Sequence, residues 1–263
     1  GGVDSSVSAV LLKEQGYEVV GLTFIFTNDF DTSDAIKVCE KLNIEHHIVD
    51  YRSEFKKTVI DSFIDDYNRG ITPNPCVLCN KEVKFNFLYQ NMLKFDCDYI
   101  ATGHYAVCEY DEKRGRYLLK RSADRSKDQT YMLYSLTQEQ LAHIIFPLGN
   151  MEKSAVREIA AENGLINADK PDSQDICFVP DGKYVEFIEK FTGEKAQSGN
   201  YVDMSGKILG KHKGHINYTP GQRKGLGIAL GKPAYVVKKD CKTNTVVLGD
   251  ESDLYTMSLI AEN

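Results

Sequence analysis

The sequence predicts an α/β protein in which a parallel-sheet domain is followed by a small β-rich domain. Three observations support this class. Helical and β-rich segments alternate over the first part of the chain, as in parallel sheets with crossover helices. A glycine-containing turn directly precedes a helix at the start. Past Gly193 the chain changes to glycine, lysine and short β-rich pieces. We therefore predict a first domain over 1–195, which includes a helical subregion, and a second over 196–263.

The individual elements follow from the hydrophobic periodicity. Short β-rich runs predict strands at VVGLTFIF, HHIVDY and CDYIATGHY, and RYLLKR as part of a hairpin. Helical patterns predict helices at SDAIKVCEKLNI, KEVKFNFLYQNMLKF, SLTQEQLAHIIF and MEKSAVREIAAENGL, the last of which ends at Gly164. In the second domain, YVVKK and TVVLGD are predicted strands.

Composition excludes several classes of protein. No apolar run approaches the roughly 18 residues of a membrane span, and the start does not resemble a signal peptide, so we expect a cytoplasmic protein without a membrane partner. Seven cysteines, an odd number, do not suit a secreted disulfide framework and leave packing, metal binding or catalysis. The net charge of −6 argues against a non-specific nucleic-acid binder.

Two regions of the chain are basic although the net charge is negative. The stretch 204–239 contains eight lysines and arginines and no acidic residue. A second cluster over 113–127 has seven basic residues and one acid, Asp124. Each region taken alone is compatible with a solvated surface or with a nucleic-acid contact.

The first six residues, GGVDSS, are typical of an anion site at a helix N-terminus. Gly1 and Gly2 let a backbone approach a ligand closely, while Asp4, Ser5 and Ser6 suit a first helical turn. Free N–H groups and the helix dipole bind phosphate at such a terminus. The residues alone also fit a capped helix after a turn. Because a phosphate loop of this kind follows a buried strand, we expect the protein to continue before Gly1.

The cysteines divide into two groups. Cys76 and Cys79 form a C-x-x-C pair just before a predicted helix, where the pKa of a thiol is expected to be lowered. A lone C-x-x-C is half a zinc site, and no second pair exists. Cys177, in the polar stretch DKPDSQDICFVP, is the candidate third functional thiol. The others lie in apolar or strand-like runs and are expected to be structural: Cys39, Cys97, Cys108 and Cys241.

An ordered series of motifs gives the chain a family resemblance. GGVDSS resembles the end of the SGGVDSS loop of the PP-loop ATP pyrophosphatases. In order, TPNPCVLCNKEVKF, ATGHYA, KDQTYMLY, DSQDICF and YTPGQRKGLGI resemble motifs of the tRNA-specific 2-thiouridylases. The resemblance extends over the whole chain, whereas most PP-loop enzymes share only the first motif.

The resemblance implies that ATP and Mg²⁺ are used to replace the C2 oxygen of uridine 34 by sulfur, with release of AMP and pyrophosphate. The expected substrates are glutamate, glutamine and lysine tRNAs. The family's loop binds pyrophosphate, and Asp4 helps to place Mg²⁺. His104, judged from the residue itself and not from the resemblance, is expected to be structural. The residues implied for the nucleotide are Gly1, Gly2, Asp4, Ser5, Ser6, Gly103 and Gln129, and the adjacent Lys127 and Asp128 are implied near the base or the phosphates.

For the sulfur step, the resemblance makes Cys79 and Cys177 the catalytic pair. Cys177 would receive sulfur as a persulfide from a cysteine desulfurase or another carrier, and Cys79 would resolve the resulting bond as a disulfide. Sulfide is the other possible sulfur donor. This chain departs from the family in having Cys76 where many members have aspartate. Three thiols could therefore bind a [4Fe-4S] cluster, as in related tRNA thiolases. The cluster and the persulfide relay stay open, and a zinc site that closes the sulfur position fits less well.

A tRNA substrate would give the basic regions a function, since phosphate contacts supply much of nucleic-acid affinity. The candidates are Lys127, Lys211, Lys213, Arg223 and Lys224. Two alternatives remain: a PP-loop ligase that acts on a small molecule, and a tRNA-binding relative without catalysis. The ligase would need neither the cysteines nor the basic stretch, and the inactive relative would tolerate loss of Asp4. Relatives are also expected to continue into a further β-barrel after the last residue of this chain.

Overall fold

The computed structural model describes residues 2–171, 176–258 and 260. The chain divides into two compact units: unit 1 is Gly1–Ile60 with Asn74–Gln174, and unit 2 is Asp61–Pro73 with Asp175–Asn263. The predicted boundary after residue 195 stays a prediction. None of the helices in the described ranges is both long and apolar enough to cross a membrane.

The elements of unit 1 follow the predicted alternation. They are α1 (Val3–Glu14), β1 (Val20–Ile25), α2 (Ser33–Leu42), β2 (Glu45–Asp50) and α3 (Arg52–Phe55), which continues as a π-helical turn, Lys56–Ile60, into α4 (Asp61–Asn68) of unit 2. Then come α5 (Pro75–Leu78), a π-helical segment (Cys79–Lys84), α6 (Phe85–Lys94), β3 (Ile100–Ala101), β4 (Ala106–Asp111), β5 (Arg116–Arg121), α7 (Gln138–Ala142), β6 (Ile144–Ile145) and α8 (Lys153–Glu162).

Strand pairing in unit 1 confirms the α/β class. Strands β1 and β2 are parallel, with Val20 opposite Glu45, and β3 and β6 are parallel, with Ile100 opposite Ile144. The predicted hairpin is present as β4 and β5, which pair antiparallel. Parallel strands joined by helices bring their carboxyl ends to one edge, where α/β proteins bind ligands.

Helix α1 owes its position to valines at helical spacing. Val3, Val7 and Val10 are buried in one core with Leu148 and Val156, and partly buried side chains of α1 and α2 pack against that core. Val7 and Val156 have no exposed surface. Burial of an aliphatic side chain contributes about 1.5–3 kcal/mol. The first turn of α1 is thus held by packing rather than by a side-chain cap.

One predicted helix of unit 1 is wrong in extent. SLTQEQLAHIIF was expected to be helical throughout, but α7 covers only Gln138–Ala142. Thr137 starts it with a capping box, in which its hydroxyl accepts from the Gln140 N–H and its N–H donates to Gln140 Oε1. The isoleucines that follow form β6, because pairing with β3 outweighs continued helix at β-branched residues.

Unit 2 contains a four-stranded sheet in the part of the chain where the sequence predicts short β-rich pieces. After α9 (Tyr184–Thr192), its strands are β7 (Gly199–Val202), β8 (Ile208–His212), β9 (Tyr235–Asp240) and β10 (Thr245–Gly249). They form one sheet in the order β8-β7-β10-β9, where β7 and β10 are parallel and the other pairs antiparallel. Its core contains Tyr201, Val236 and Val246, all without exposed surface.

Candidate active site

The first turn of α1 is the candidate anion site. Gly2 is the N-cap residue, with an extended backbone and no side-chain cap. The Ser5 and Ser6 hydroxyls donate to the Gly2 carbonyl at 3.0 and 3.1 Å instead. The N–H groups of a first helical turn have no intrahelical acceptor, so they are available to an anion. Gly1 lies outside the described residues.

Asp4 is held in this turn by two side chains that the sequence analysis missed. The Tyr105 hydroxyl donates to Asp4 Oδ1 at 2.9 Å, and Lys153 Nζ donates to the same oxygen at 2.6 Å. Tyr105 is buried and the Lys153 side chain is 11% exposed. Lys153 is the first residue of α8, where a positive charge opposes the helix dipole. This unfavourable placement is the one feature of the sequence that could have indicated a special role for Lys153.

Ser6 has a buried partner of its own. Asn167 Nδ2 donates to Ser6 Oγ at 2.9 Å, and both residues are almost fully buried. Arg157 holds the segment after Asn167, since its Nη1 donates to the Ala168 carbonyl at 2.8 Å. The loop after α8 is thereby attached to the first turn of α1. Nothing in the spacing of the sequence indicated this contact.

Gly103 lies against the backbone of the same turn. A Cβ atom at this position would be 2.7 Å from Ser5 N and from the Asp4 carbonyl carbon. Real Cβ atoms do not approach other atoms so closely, so only glycine fits here without movement. The carboxyl end of β3 therefore meets the anion site directly. A contact of Gly103 with the nucleotide stays a prediction.

The loop that carries KDQ is fixed to the same centre. The Tyr105 N–H donates to Gln129 Oε1 at 2.9 Å, and the Gln129 N–H donates to the Tyr105 carbonyl at 3.0 Å. Asp124 accepts from the Lys127 N–H at 3.2 Å and, through its other oxygen, from the Lys153 N–H at 3.1 Å. Both connections end at the residues that hold Asp4.

The first turn of α1, Gly103 and Gln129 line one cleft of about 920 Å³ in unit 1. It contains every nucleotide candidate in the described ranges: Gly2, Asp4, Ser5, Ser6, Gly103 and Gln129. His104 also lines it but is 8% exposed, and burial holds the pKa of its imidazole well below the usual range. His104 is thus neutral, and its Nδ1 lies 2.8 Å from the Thr102 hydroxyl.

Asp4 is compatible with a Mg²⁺ ion that arrives with the nucleotide. Among the described residues, no group of three or more histidines, cysteines or carboxylates forms a metal site. Mg²⁺ in nucleotide sites is commonly held by one or two carboxylates together with phosphate oxygens and water. One carboxylate beside an anion site therefore fits that ion.

The three candidate thiols differ in environment. Cys76 was expected just before a helix, but it is the second residue of α5. Burial raises the pKa of its thiol more than the Lys84 charge lowers it. The expected lowering of this pKa is wrong, because burial desolvates the thiolate form. Cys79 begins the π-helical segment and is half-buried. Cys177 is exposed, in a turn closed by the Val179 N–H and the Ile176 carbonyl.

Cys177 is placed by buried neighbours. Phe178 packs in unit 2 against Phe63 and Phe187, at ring-centroid distances of 5.2 and 5.4 Å. Cys76 and Cys79 belong to unit 1, and the described residues form no cluster of three metal-binding side chains that includes them. The rest of the DSQDICF motif, residues 172–175, lies outside the described residues.

Three other thiols suit the structural expectation. Burial raises the pKa of Cys39 and Cys97, and it raises the pKa of Cys108 to about 11. Cys108 Sγ also donates to the Leu141 carbonyl at 3.4 Å. Protonated thiols that are buried, as Cys39 is, or half-buried, as Cys97 and Cys108 are, pack as small apolar side chains.

The acid-free stretch presents its charges to solvent. Four candidates are exposed and form no ion pair within the described part of the chain: Lys211, Lys213, Arg223 and Lys224. Between the two lysines, His212 is buried, and burial lowers its pKa. Its Nδ1 accepts from the Gly214 N–H at 2.9 Å. A buried neutral histidine thus fixes the backbone from which two lysines project.

Comparison with known proteins agrees with this architecture. The family model described as tRNA methyl transferase HUP domain matches residues 1–181, and that described as tRNA methyl transferase PRC-barrel domain matches residues 185–250. Both the parallel-sheet domain and the small β-rich domain therefore have a counterpart in this family.

Curated relatives match over the whole chain. It is 52% identical to tRNA-specific 2-thiouridylase MnmA 2 of Caldanaerobacter subterraneus subsp. tengcongensis and 50% identical to tRNA-specific 2-thiouridylase MnmA of Clostridioides difficile, each over 100% of this chain and 76% of the relative. It is 51% identical to the MnmA of Acetivibrio thermocellus, over 99% of this chain and 77% of the relative. The chain therefore belongs to the tRNA-specific 2-thiouridylase family.

Proposed function

We propose that this protein is an ATP-dependent tRNA 2-thiouridylase that acts on C2 of uridine 34. The observation that carries the proposal is the cleft at the first turn of α1, where Asp4, Gly103 and Gln129 surround an open anion site. Relatives about half identical over the full chain, named tRNA-specific 2-thiouridylases, support the substrate and the reaction.

The first step activates the base. Uridine O2 attacks the α-phosphorus of ATP, the bond from that phosphorus to the bridging oxygen breaks, and pyrophosphate leaves. The N–H groups of the α1 terminus and the Ser5 hydroxyl would bind the leaving pyrophosphate. Mg²⁺ held by Asp4 and the phosphates would supply charge neutralisation. Tyr105 and Lys153 both hold Asp4 through its Oδ1 oxygen.

The second step introduces sulfur. A persulfide on Cys177 attacks C2 with its terminal sulfur, and AMP leaves with the original O2. Cys79 then attacks the inner sulfur, which frees 2-thiouridine and leaves a disulfide that an external thiol reduces. Exposure of Cys177 suits receipt of sulfur from a carrier protein. A [4Fe-4S] cluster bound by Cys76, Cys79 and Cys177 would be the alternative way of delivering sulfur.

Binding of the tRNA would involve the exposed cations of unit 2. The lysines around His212 and the Arg223–Lys224 pair are suited to phosphate contacts, which position a nucleic acid without reading its sequence. The target base would have to leave its stack to reach the nucleotide. Lys127, one residue from Asp128 in the loop fixed to Tyr105, is a further candidate near the base.

Product analysis tests the proposal. The purified protein is incubated with labelled ATP and Mg²⁺, with and without tRNA bearing uridine 34. We expect AMP and pyrophosphate, formed only with tRNA, and their loss in Asp4→Ala with tRNA affinity unchanged. Glu158→Ala, an exposed carboxylate of α8 outside the cleft, is the control. Formation of ADP and phosphate would overturn the assignment.

A further inference from the structure

The cleft around the α1 terminus has an unusual charge balance. Its described lining contains five acidic residues: Asp4, Glu18, Glu45, Asp96 and Asp98. Lys84 is the single lysine or arginine among the described lining residues. A polyphosphate is strongly anionic, so it needs cations in addition to the partial charge of one helix terminus. The cleft supplies one such side chain.

The position of Lys84 suits an ion pair with a bound ligand rather than with a neighbouring side chain. It is the last residue of the π-helical segment Cys79–Lys84 and is half-buried. Within the described ranges, no carboxylate forms an ion pair with it. Lys153, by contrast, pairs with Asp4, and Lys81 is exposed and pairs with Glu82 at 2.9 Å. A partly desolvated ammonium without a counter-ion costs free energy that a bound anion recovers.

Lys84 lines the cleft together with Gly103 and His104, and two further observations relate it to the candidate site residues. It contributes to the lowered pKa of His104, which follows Gly103 at the anion site. It also lies five residues after Cys79 in a π-helical segment, where residues five apart are about one turn apart. Lys84 and Cys79 therefore share one side of this segment.

We propose that Lys84 binds the α-phosphate of the nucleotide and keeps that contact in the adenylated tRNA. The inference rests on the proposed function, since the α-phosphate is the group passed to uridine O2. The α1 terminus binds the pyrophosphate that leaves, and Lys84 binds the phosphate that stays. Its charge makes the α-phosphorus more electrophilic in the first step and AMP a better leaving group in the second.

Nucleotide affinity tests the proposal in the absence of tRNA. Binding of ATP, AMP and adenosine is measured by calorimetry for the wild type, Lys84→Met, Lys84→Arg and Lys81→Met. We expect Lys84→Met to weaken binding of ATP and AMP about ten- to a hundredfold, as for one charge-assisted hydrogen bond, and to leave adenosine unchanged. Lys84→Arg should retain most of the affinity. Lys81→Met, three residues away on the same segment, should bind as the wild type.

The ratio of ATP to adenosine affinity within each variant separates a lost contact from poor folding. An unchanged ratio in Lys84→Met would overturn the proposal, as would equal losses in Lys81→Met. If Lys84→Met does not fold, Lys84→Gln gives the same comparison. Wild-type product analysis reports on the proposed function independently. Wild-type formation of AMP with an unchanged ratio in Lys84→Met would therefore refute only the role of Lys84.

Discussion

Replacement of Gly103 by alanine tests whether the meeting of β3 and the phosphate loop determines activity. The new Cβ would lie 2.7 Å from Ser5 N and 2.8 Å from Asp4 Cβ, whereas ordinary van der Waals contact begins at 3.4 Å. Either the loop or β3 must therefore move by about 0.7 Å, which is 3.4 minus 2.7. The nearest atoms in the way are backbone atoms, so no side chain can rotate to make room.

Two effects of different size should follow. Overpacking of this kind destabilises a protein by about 1–3 kcal/mol. A displacement near 1 Å of a group that positions a reacting atom costs about a hundredfold in rate. We therefore expect Gly103→Ala to lower tRNA-dependent pyrophosphate release about ten- to a hundredfold, and the free energy of unfolding by the smaller amount.

Urea unfolding and a pyrophosphate-release assay measure both effects on the same preparation. Gly2→Ala is the steric control for stability, because the Cβ that it adds would have no atom within 4 Å beyond its chain neighbours and the φ of Gly2 is −83°. Wild-type stability together with wild-type pyrophosphate release in Gly103→Ala would refute the close fit. Loss of stability alone would show that the fit is structural and does not orient the nucleotide.

Four further predictions concern the sulfur, tRNA, Asp4 and histidine contacts. Cys79→Ser and Cys177→Ser should each stop thiolation but leave AMP transfer to the tRNA intact. AMP transfer is followed on labelled tRNA. Cys76→Ser should be mild under the persulfide relay, whereas under the cluster alternative anaerobically purified protein should lose iron and activity together. Replacement of Lys211, Lys213 or Arg223 by glutamate should weaken tRNA binding. The slope of log affinity against log salt concentration should fall by about one per lost contact. Unchanged binding would refute a tRNA contact at these residues. Lys153→Met should lower pyrophosphate release and destabilise the protein by about 1–3 kcal/mol, and equal stability and rate would refute its role at Asp4. Burial lowers the pKa of His104, so its contribution to stability is complete above about pH 6.5 and is lost as the pH falls, since the histidine of the unfolded chain is protonated first. His104→Gln should therefore reduce the pH dependence of the free energy of unfolding measured in urea. An unchanged pH dependence would contradict this.

The fold could be predicted wherever one periodicity governed a segment. Valines at helical spacing after Gly2 and the β-rich run after Gly16 predict α1 and β1, and the structure has both. The prediction failed at 135–146, where local helical preference competed with the pairing of β6 and β3. A two-residue strand depends on a partner more than forty residues away, and a window along the chain does not contain that information.

Site residues divided in the same way. Gly103 and Gln129 belong to motifs, so resemblance indicated them, and the structure adds that Gly103 faces backbone and that Gln129 bonds Tyr105. Lys153 is 149 residues from Asp4 in sequence, and Asn167 is 161 from Ser6, so only the folded chain reveals those contacts. The helix-terminus argument for a lowered thiol pKa failed at Cys76, because the burial that opposes it is a property of packing.

Nucleoside mass spectrometry of tRNA treated with the purified protein, ATP, Mg²⁺ and a persulfide or sulfide donor shows whether the protein carries out the whole proposed reaction. We predict 2-thiouridine at position 34, with formation that requires ATP and is lost in Asp4→Ala. Adenylated but unthiolated tRNA should accumulate when the sulfur donor is omitted. Absence of 2-thiouridine from a complete reaction in which the protein binds both ATP and tRNA would contradict the proposed function.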